Sequence, residues 1–441
     1  MNLKTLYSLP IFKEELCFII AVISKISDLH SHSLIGEYIP SEVVKLIAFY
    51  FLESQLNVTI SCGTTHSMIL DAHNKLYMCG SNLFNQQGKN RNKIPEMKDM
   101  KAFHLYLNTR DVKYISAGYF HSFIEKKEGL FCNDYSDLTN NDLFLKSSPK
   151  LGRFRKMYMS VTKILKYYNI DGEKKQDIIE EGEDIKGFKL ISCGLKHAFI
   201  LTKEGLFGFG STNYGQLGID ESRYITGLVK IKIENVITVS CGKRHSMILT
   251  KEGLFSCGDN RLGQLGISFK GFKREKLHKV DLRNVIDVKC GARHTVALTT
   301  DGLYACGQVR YIKPFIKDDI FDYDSKSSIF SKSDIQNVIS FSCGADFTLV
   351  LTTDGLFGCG KSDYGQLGKI TPKVFYTFQK IAVDNVVAFA CGYEHSLILT
   401  RQGLYGCGNN ELNQLGINDE DYSKKKLPLT KITKEENYFE I

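Results

Sequence analysis

The sequence predicts an all-β fold, a seven-bladed β-propeller of four-stranded blades with a short helical N-terminal extension, and three observations predict it. One string of about twenty residues recurs seven times along the chain. Each copy holds short apolar runs interrupted by glycine, a pattern of strands and turns that leaves no room for long amphipathic helices. About four such runs fall in each period of roughly fifty residues, which is the content of one blade.

One copy reads Val239-Ser-Cys-Gly-Lys-Arg-His245-Ser-Met-Ile-Leu-Thr250-Lys-Glu-Gly-Leu-Phe-Ser-Cys-Gly258. Related strings open at Ile60, Ile115, Ile191, Val288, Phe341 and Phe389. The histidine recurs as His66, His121, His197, His294 and His395, and the sixth copy has Phe347 in its place. Successive copies stand 55, 76, 48, 49, 53 and 48 residues apart, so the one long interval marks an insertion. His245–Thr250 and Leu254–Cys257, joined across Lys251-Glu252-Gly253, read as a hairpin. Leu228–Ile233 and Val236–Ser240 supply two further strands. A single blade cannot bury both of its faces, so the copies must stack around an axis.

A tail follows most copies. It reads Tyr214-Gly-Gln-Leu-Gly218, Leu262-Gly-Gln-Leu-Gly266, Tyr364-Gly-Gln-Leu-Gly368 and Leu412-Asn-Gln-Leu-Gly416, with a weaker Phe84-Asn-Gln-Gln-Gly88 in the first copy. The second and fifth copies lack it. The propeller is expected over 57–441, with an insertion at about 137–187. The C-terminal stretch from Leu427 to Ile432 and on to Ile441 resembles the opening of a repeat. It is expected to add a strand that seals the ring against the blade starting near Val58. Residues 1–56 precede the repeats. In them Tyr38–Leu52 has a proline in its expected first helical turn and Val43, Ile47 and Phe51 on one helical face.

Composition narrows the function classes. The net charge of +8 over 441 residues is mild, so an acidic partner is permitted but not required. Nowhere do eighteen or more apolar residues run together, so no transmembrane helix is expected. The short apolar run Leu16–Ile23 follows Lys13, Glu14 and Glu15, without a basic lead or a small-residue cleavage site. An intracellular, monomeric protein, cytoplasmic or nuclear and without a membrane partner, is expected.

Thirteen cysteines, an odd count with no CxxC pair, argue against a disulfide framework and a zinc module. Cys241 and His245 have a spacing that a metal accepts. However, a residue present in nearly every blade is spread around a ring and does not converge on one ion. The histidines are therefore read as structural, bonding local backbone at the start of a strand, and the cysteine pairs as small core hydrophobes. No P-loop, nucleophile elbow or HExxH string is present. No catalytic residue, metal or cofactor is expected.

The insertion is electrically polarised. Seven basic residues and no acidic one lie from Lys146 to Lys166, and seven acidic residues against two lysines from Asp171 to Asp184. Lys150, Arg153, Phe154, Arg155 and Lys156 are the candidate partner-binding residues, because cations interleaved with aromatics grip acidic surfaces or nucleic acid. A solvated excursion whose two halves neutralise each other explains the same letters and is the preferred reading.

The string Cys-Gly-x-x-His-Ser-x-x-Leu-Thr-x-x-Gly-Leu-Phe-x-Cys-Gly, followed by Gly-Gln-Leu-Gly, resembles the regulator of chromosome condensation repeat over roughly residues 57–441. Where that family often has Trp before the second glycine, this chain has Cys79, Cys257, Cys306, Cys359 and Cys407, and it has no tryptophan at all. The resemblance implies a protein-interaction propeller, a scaffold or regulator of a small GTPase. It also implies two alternatives. One is a guanine nucleotide exchange factor for a Ran-like GTPase, the possible enzymatic activity here. The other, taken from the F-box-like letters of Tyr38–Leu52, is a substrate-recognition subunit of a ubiquitin ligase. A chromatin or nucleic-acid partner would suit the family, but the N-terminus carries no basic tail.

Overall fold

The computed structural model of the chain describes residues 58–81, 103–108, 112–127, 129–132, 155–156, 158–160, 183–220, 224–268, 271–308, 327–417 and 426–432. The N-terminal extension 1–56, including Tyr38–Leu52, lies outside these residues.

Seven four-stranded antiparallel sheets follow one another. The fourth blade shows how sequence becomes structure. Its strands are Val236–Cys241, His245–Thr250, Gly253–Asp259 and Lys273–Lys279, paired in chain order. All six residues of His245–Thr250 are buried, because this strand is covered on both faces by neighbouring blades. Thr250 pairs with Gly253, so only Lys251 and Glu252 form the turn. Thr250 Oγ1 accepts the Glu252 N–H at 3.1 Å and donates to the Gly253 carbonyl at 3.0 Å. Gly253 takes φ +127°, a conformation L side chains rarely adopt. The outer strand Lys273–Lys279 is half exposed and rich in Lys, Arg and Glu, which guards a free sheet edge against pairing.

The other blades repeat this plan. Their middle strands are His66–Leu70, Ser122–Lys126, His197–Thr202, His294–Thr299, Phe347–Thr352 and His395–Thr400. First strands of successive blades are neighbours around the ring and surround its axis. The chain enters several of them through an asparagine in the left-handed region, namely Asn235, Asn284, Asn337 and Asn385, with φ from 53° to 55°. The core lies between blades. Phe199, Leu201 and Leu206 of the third blade pack with Val239, Cys241 and Ile248 of the fourth.

Closure differs from the sequence expectation. Lys426–Lys431 is the fourth strand of the seventh blade, paired with Gly403–Asn409, and adds nothing to the sheet of the first blade. Side chains seal the ring instead. Ile69, Tyr77, Cys79 and Phe103 of the first blade share a buried cluster with Leu397, Leu399, Leu404, Leu415 and Leu427 of the seventh. One backbone bond also crosses, from the Tyr393 N–H to the Gly63 carbonyl at 3.1 Å.

Candidate protein-binding face

The repeated histidines and tail glutamines build a clamp between blades, and the clamp holds the loops of one face. His197 Nε2 lies 2.8 Å from Ser246 Oγ of the next blade. Ser246 Oγ donates to the Gln216 carbonyl at 2.8 Å. The hydroxyl has one proton, already committed to Gln216, so it must accept from His197 Nε2–H. The same relay joins His245, Thr295 and the Gln264 carbonyl, and closes the ring through His395, Ser67 and the Gln414 carbonyl. The histidines therefore reach across blades, whereas the sequence suggested bonds to local backbone. Burial pulls His66, His197, His245 and His395 down to about 3 and His121 and His294 to about 4, so all are neutral.

The cysteines join this clamp. Cys257 Sγ donates to the Gln216 carbonyl at 3.4 Å, Cys407 to Gln366 at 3.3 Å and Cys79 to Gln414 at 3.2 Å. Cys241 and Cys290, on first strands, donate to Ser192 and Ser240 carbonyls at 3.3 and 3.2 Å. Burial pushes Cys241 and Cys290 up to about 12, which keeps the thiols protonated. All cysteines among the described residues are free.

The seam between the second and third blades keeps the histidine of the clamp and lacks its other parts. Ala198 stands where Ser246 stands in the next blade, Phe209 stands in the cysteine position, and the second copy has no Gly-Gln-Leu-Gly tail. His121 is fully buried there, and neither ring nitrogen has a hydrogen-bond partner.

In every copy two loop residues separate the first glycine from the histidine, or from Phe347 in the sixth, and they lie on one face. The first of the pair forms a belt of backbone bonds from blade to blade: Leu195 N–H to Lys243 O, Lys243 to Ala292, Ala292 to Ala345, and Ala345 to Tyr393, at 3.0 to 3.3 Å. Tyr119 of the second blade meets Tyr393 of the seventh edge-on at 5.6 Å, over the end of the axis. Burial, with Tyr393 and Asp346 nearby, pushes the Tyr119 hydroxyl well above its ordinary range.

The second residue of the pair varies in a pattern. Around the ring it is Thr65, Phe120, Lys196, Arg244, Arg293, Asp346 and Glu394. Three adjacent blades carry cations, the next two carry anions, and the remaining two are uncharged. The tail loops on the same face carry ion pairs in the fourth and sixth blades, Arg261 with Asp259 and Asp363 with Lys361, and Glu411 in the seventh. The face is therefore an electric dipole mounted on rigid strands.

At the positive end a cavity of about 310 Å³ opens between the fourth and fifth blades, lined by Lys243, Arg244, Asp259, Arg261 and Arg293 among others. Asp259 holds Arg261 through two bonds, Nε at 2.9 Å and Nη2 at 2.7 Å. Arg244 lies over the Tyr214 ring at 4.4 Å and Arg261 over the same ring at 5.3 Å. Burial, and then the charges of Arg293 and Arg244, hold Lys243 below its ordinary value. Phe272, whose carbonyl accepts the Asn260 N–H at 2.8 Å beside Arg261, is 77 % exposed.

Of the candidate residues read from the insertion, Arg155 and Lys156 are among the described residues. Arg155–Lys156 forms the short fourth strand of the second blade, paired with Cys132 and Phe131. Tyr158–Ser160 and Glu183–Asp184 pair as a two-stranded ribbon. Lys150, Arg153 and Phe154 lie outside the described residues. Lys243, Arg244, Arg261 and Arg293 escaped the sequence reading, which followed charge runs along the chain. The signal was available at right angles to that, in one variable position compared across the seven copies.

Comparison with known proteins agrees with this architecture. The regulator of chromosome condensation (RCC1) repeat matches residues 58–86, 236–264, 285–308, 338–366 and 386–414, and a second model of the same repeat matches 204–249 and 354–399. X-linked retinitis pigmentosa GTPase regulator of Homo sapiens is 26% identical over 172 residues, which is 38% of this chain and only 14% of that protein. Among solved structures, Prp20p of Saccharomyces cerevisiae has a TM-score of 0.62 at 17% identity, covering 87% of this chain and 89% of its own. Human WBSCR16 has a TM-score of 0.59 at 18% identity, covering 78% and 87%. These two structural likenesses concern the fold alone.

Proposed function

We propose that this chain, a seven-bladed propeller of regulator of chromosome condensation repeats, acts as a protein-interaction platform that regulates a small GTPase by binding it. The observation that carries the reading is the charge dipole of the loop face, running from Lys196, Arg244 and Arg293 to Asp346 and Glu394. Complementary charge steers a partner and fixes its orientation. Belt and clamp hold the loops in place before binding, so little ordering entropy is lost on association. The GTPase part of the reading draws on two relatives. One is named a GTPase regulator, and Prp20p was solved together with its binding properties to Gsp1p and histones.

Purified protein is mixed with small GTPases of the Ran-like and related classes, loaded with fluorescent GDP. The expected result is saturable, salt-sensitive binding to at least one of them with nucleotide release left within twofold of its intrinsic rate. Release accelerated tenfold or more assigns the chain to exchange catalysis and displaces the platform reading. Absence of binding to every GTPase removes the GTPase from it.

A further inference from the structure

The cavity between the fourth and fifth blades has the makings of a recognition site in its own right. Four cations, Lys243, Arg244, Arg261 and Arg293, line it against one carboxylate, Asp259. Asp259 is already committed to Arg261 at 2.7 Å. Among the described residues no carboxylate stands within ion-pair distance of Lys243, Arg244 or Arg293. The mutual repulsion of Lys243, Arg244 and Arg293 outweighs the pull of Asp346, the one further carboxylate that acts on Lys243, and an anion entering between them relieves it.

The side chains are also oriented in advance. The Arg244 guanidinium lies over the Tyr214 ring, and Asp259 fixes the fork of Arg261. Lys243 and Arg293 stand on loops tied into the backbone belt through the Lys243 N–H and the Ala292 N–H and carbonyl. A planar arginine fork matches a carboxylate bidentately, which a mobile lysine does not.

Three features select the occupant. The volume, about 310 Å³, accommodates one or two side chains and no folded element. Asp346, Glu394 and Glu411 occupy the same face two and three blades on, so a long polyanion crossing the face would run into like charge. Phe272, exposed and tied by its carbonyl to Asn260, the residue before Arg261, offers an apolar contact that a bare inorganic anion cannot use. The geometry points to a docking site for a short acidic peptide segment of a protein partner, its carboxylates between Lys243, Arg244 and Arg293 and an apolar residue against Phe272. This rests on the reading of the face as protein-binding, and it names the chemistry that its positive end receives.

The test uses the full chain and a fluorescein-labelled peptide, Gly-Glu-Glu-Leu-Glu-Glu-Gly, followed by anisotropy. Saturable binding is expected, lost when Gln replaces each Glu and weakened as salt rises. The double variant Lys243→Ala, Arg293→Ala should bind at least tenfold more weakly. Lys203→Ala with Lys251→Ala, on the turns of the opposite face, should bind as the parent does. Both variants change exposed or half-exposed side chains, and an unchanged melting curve confirms their folding. Equal affinity for the Gln peptide, or an unaffected double variant, overturns the proposal. So does inorganic phosphate displacing the peptide at equal concentration, which would make this a small-anion site. Oligothymidylate binding more tightly than the peptide overturns it in favour of nucleic acid. No GTPase enters the assay, so peptide binding without any GTPase partner refutes only the GTPase reading, and GTPase binding that survives the double variant refutes only this site.

Discussion

At the scale of single residues the hydrogen-bond relay accounts for departures in the repeat. Phe347 replaces a histidine without leaving an orphan, because the hydroxyl facing it, Ser396, still donates to the Gln366 carbonyl at 2.9 Å. Ser246→Ala is expected to destabilise by about 1–3 kcal/mol in chemical unfolding, since it strips partners from both His197 Nε2 and the Gln216 carbonyl. Ala198→Ser should do the opposite. It offers buried His121 the hydroxyl that its seam lacks and should stabilise by about 1 kcal/mol. A destabilised Ala198→Ser protein would show that the seam has repacked around its missing clamp. The repetition of the histidines marks them as structural. Their partners were not legible, because a bond between residues 49 positions apart leaves no local trace.

At the scale of elements, middle and third strands were legible because blades cover them on both faces and they read as near-continuous apolar runs. Fourth strands were legible only in part: Leu228–Ile233 overlaps Ile225–Lys230, the fourth strand of the third blade. The stretch from Leu427 to Ile432 and on was expected to seal the first blade, though Lys426–Lys431 resembles Lys273–Lys279 and Val374–Lys380 in being a partly exposed outer strand. A subtler mark identifies it. Each of these strands ends in a lysine whose stem lies over the hairpin glycine of its own blade, and a Cβ on Gly403 would meet Lys431 Cε at 3.1 Å. Truncation after Asn418 removes this strand, with Leu427 from the closing cluster, and should lower Tm sharply; a melting curve like that of the full chain would show that the ring closes without it. The asparagines that start blades went unremarked in the sequence, although a left-handed residue is required there. Asn284→Ala should cost about 1 kcal/mol or more in unfolding free energy, and Asn284→Gly little. Equal effects would mean that the side chain, and not φ, matters.

For the whole molecule, six buried neutral histidines couple the ring to pH. Their folded values, about 3 to 4, lie below the ordinary 6.5, so the unfolded chain binds more protons between these limits. Stability is then full above about pH 6.5 and falls as pH drops toward 4, by roughly 1.4 kcal/mol per pH unit for each histidine. Thermal melts from pH 7 to pH 4 should show this decline. A flat Tm over that range would contradict the burial of the six rings as neutral groups.

The dipolar face is also a property of the whole ring, since no blade carries both ends of it. The account stands on that face receiving a protein partner, and reversing its charges tests it most directly. Binding to the GTPase selected above is measured by calorimetry for Arg244→Glu with Arg293→Glu, for Asp346→Lys with Glu394→Lys, and for Lys203→Glu with Lys251→Glu on the opposite face. The account predicts that each of the first two pairs weakens binding at least tenfold and that the third leaves it unchanged. Binding indifferent to both ends of the dipole, or lost only with the opposite-face pair, would contradict it.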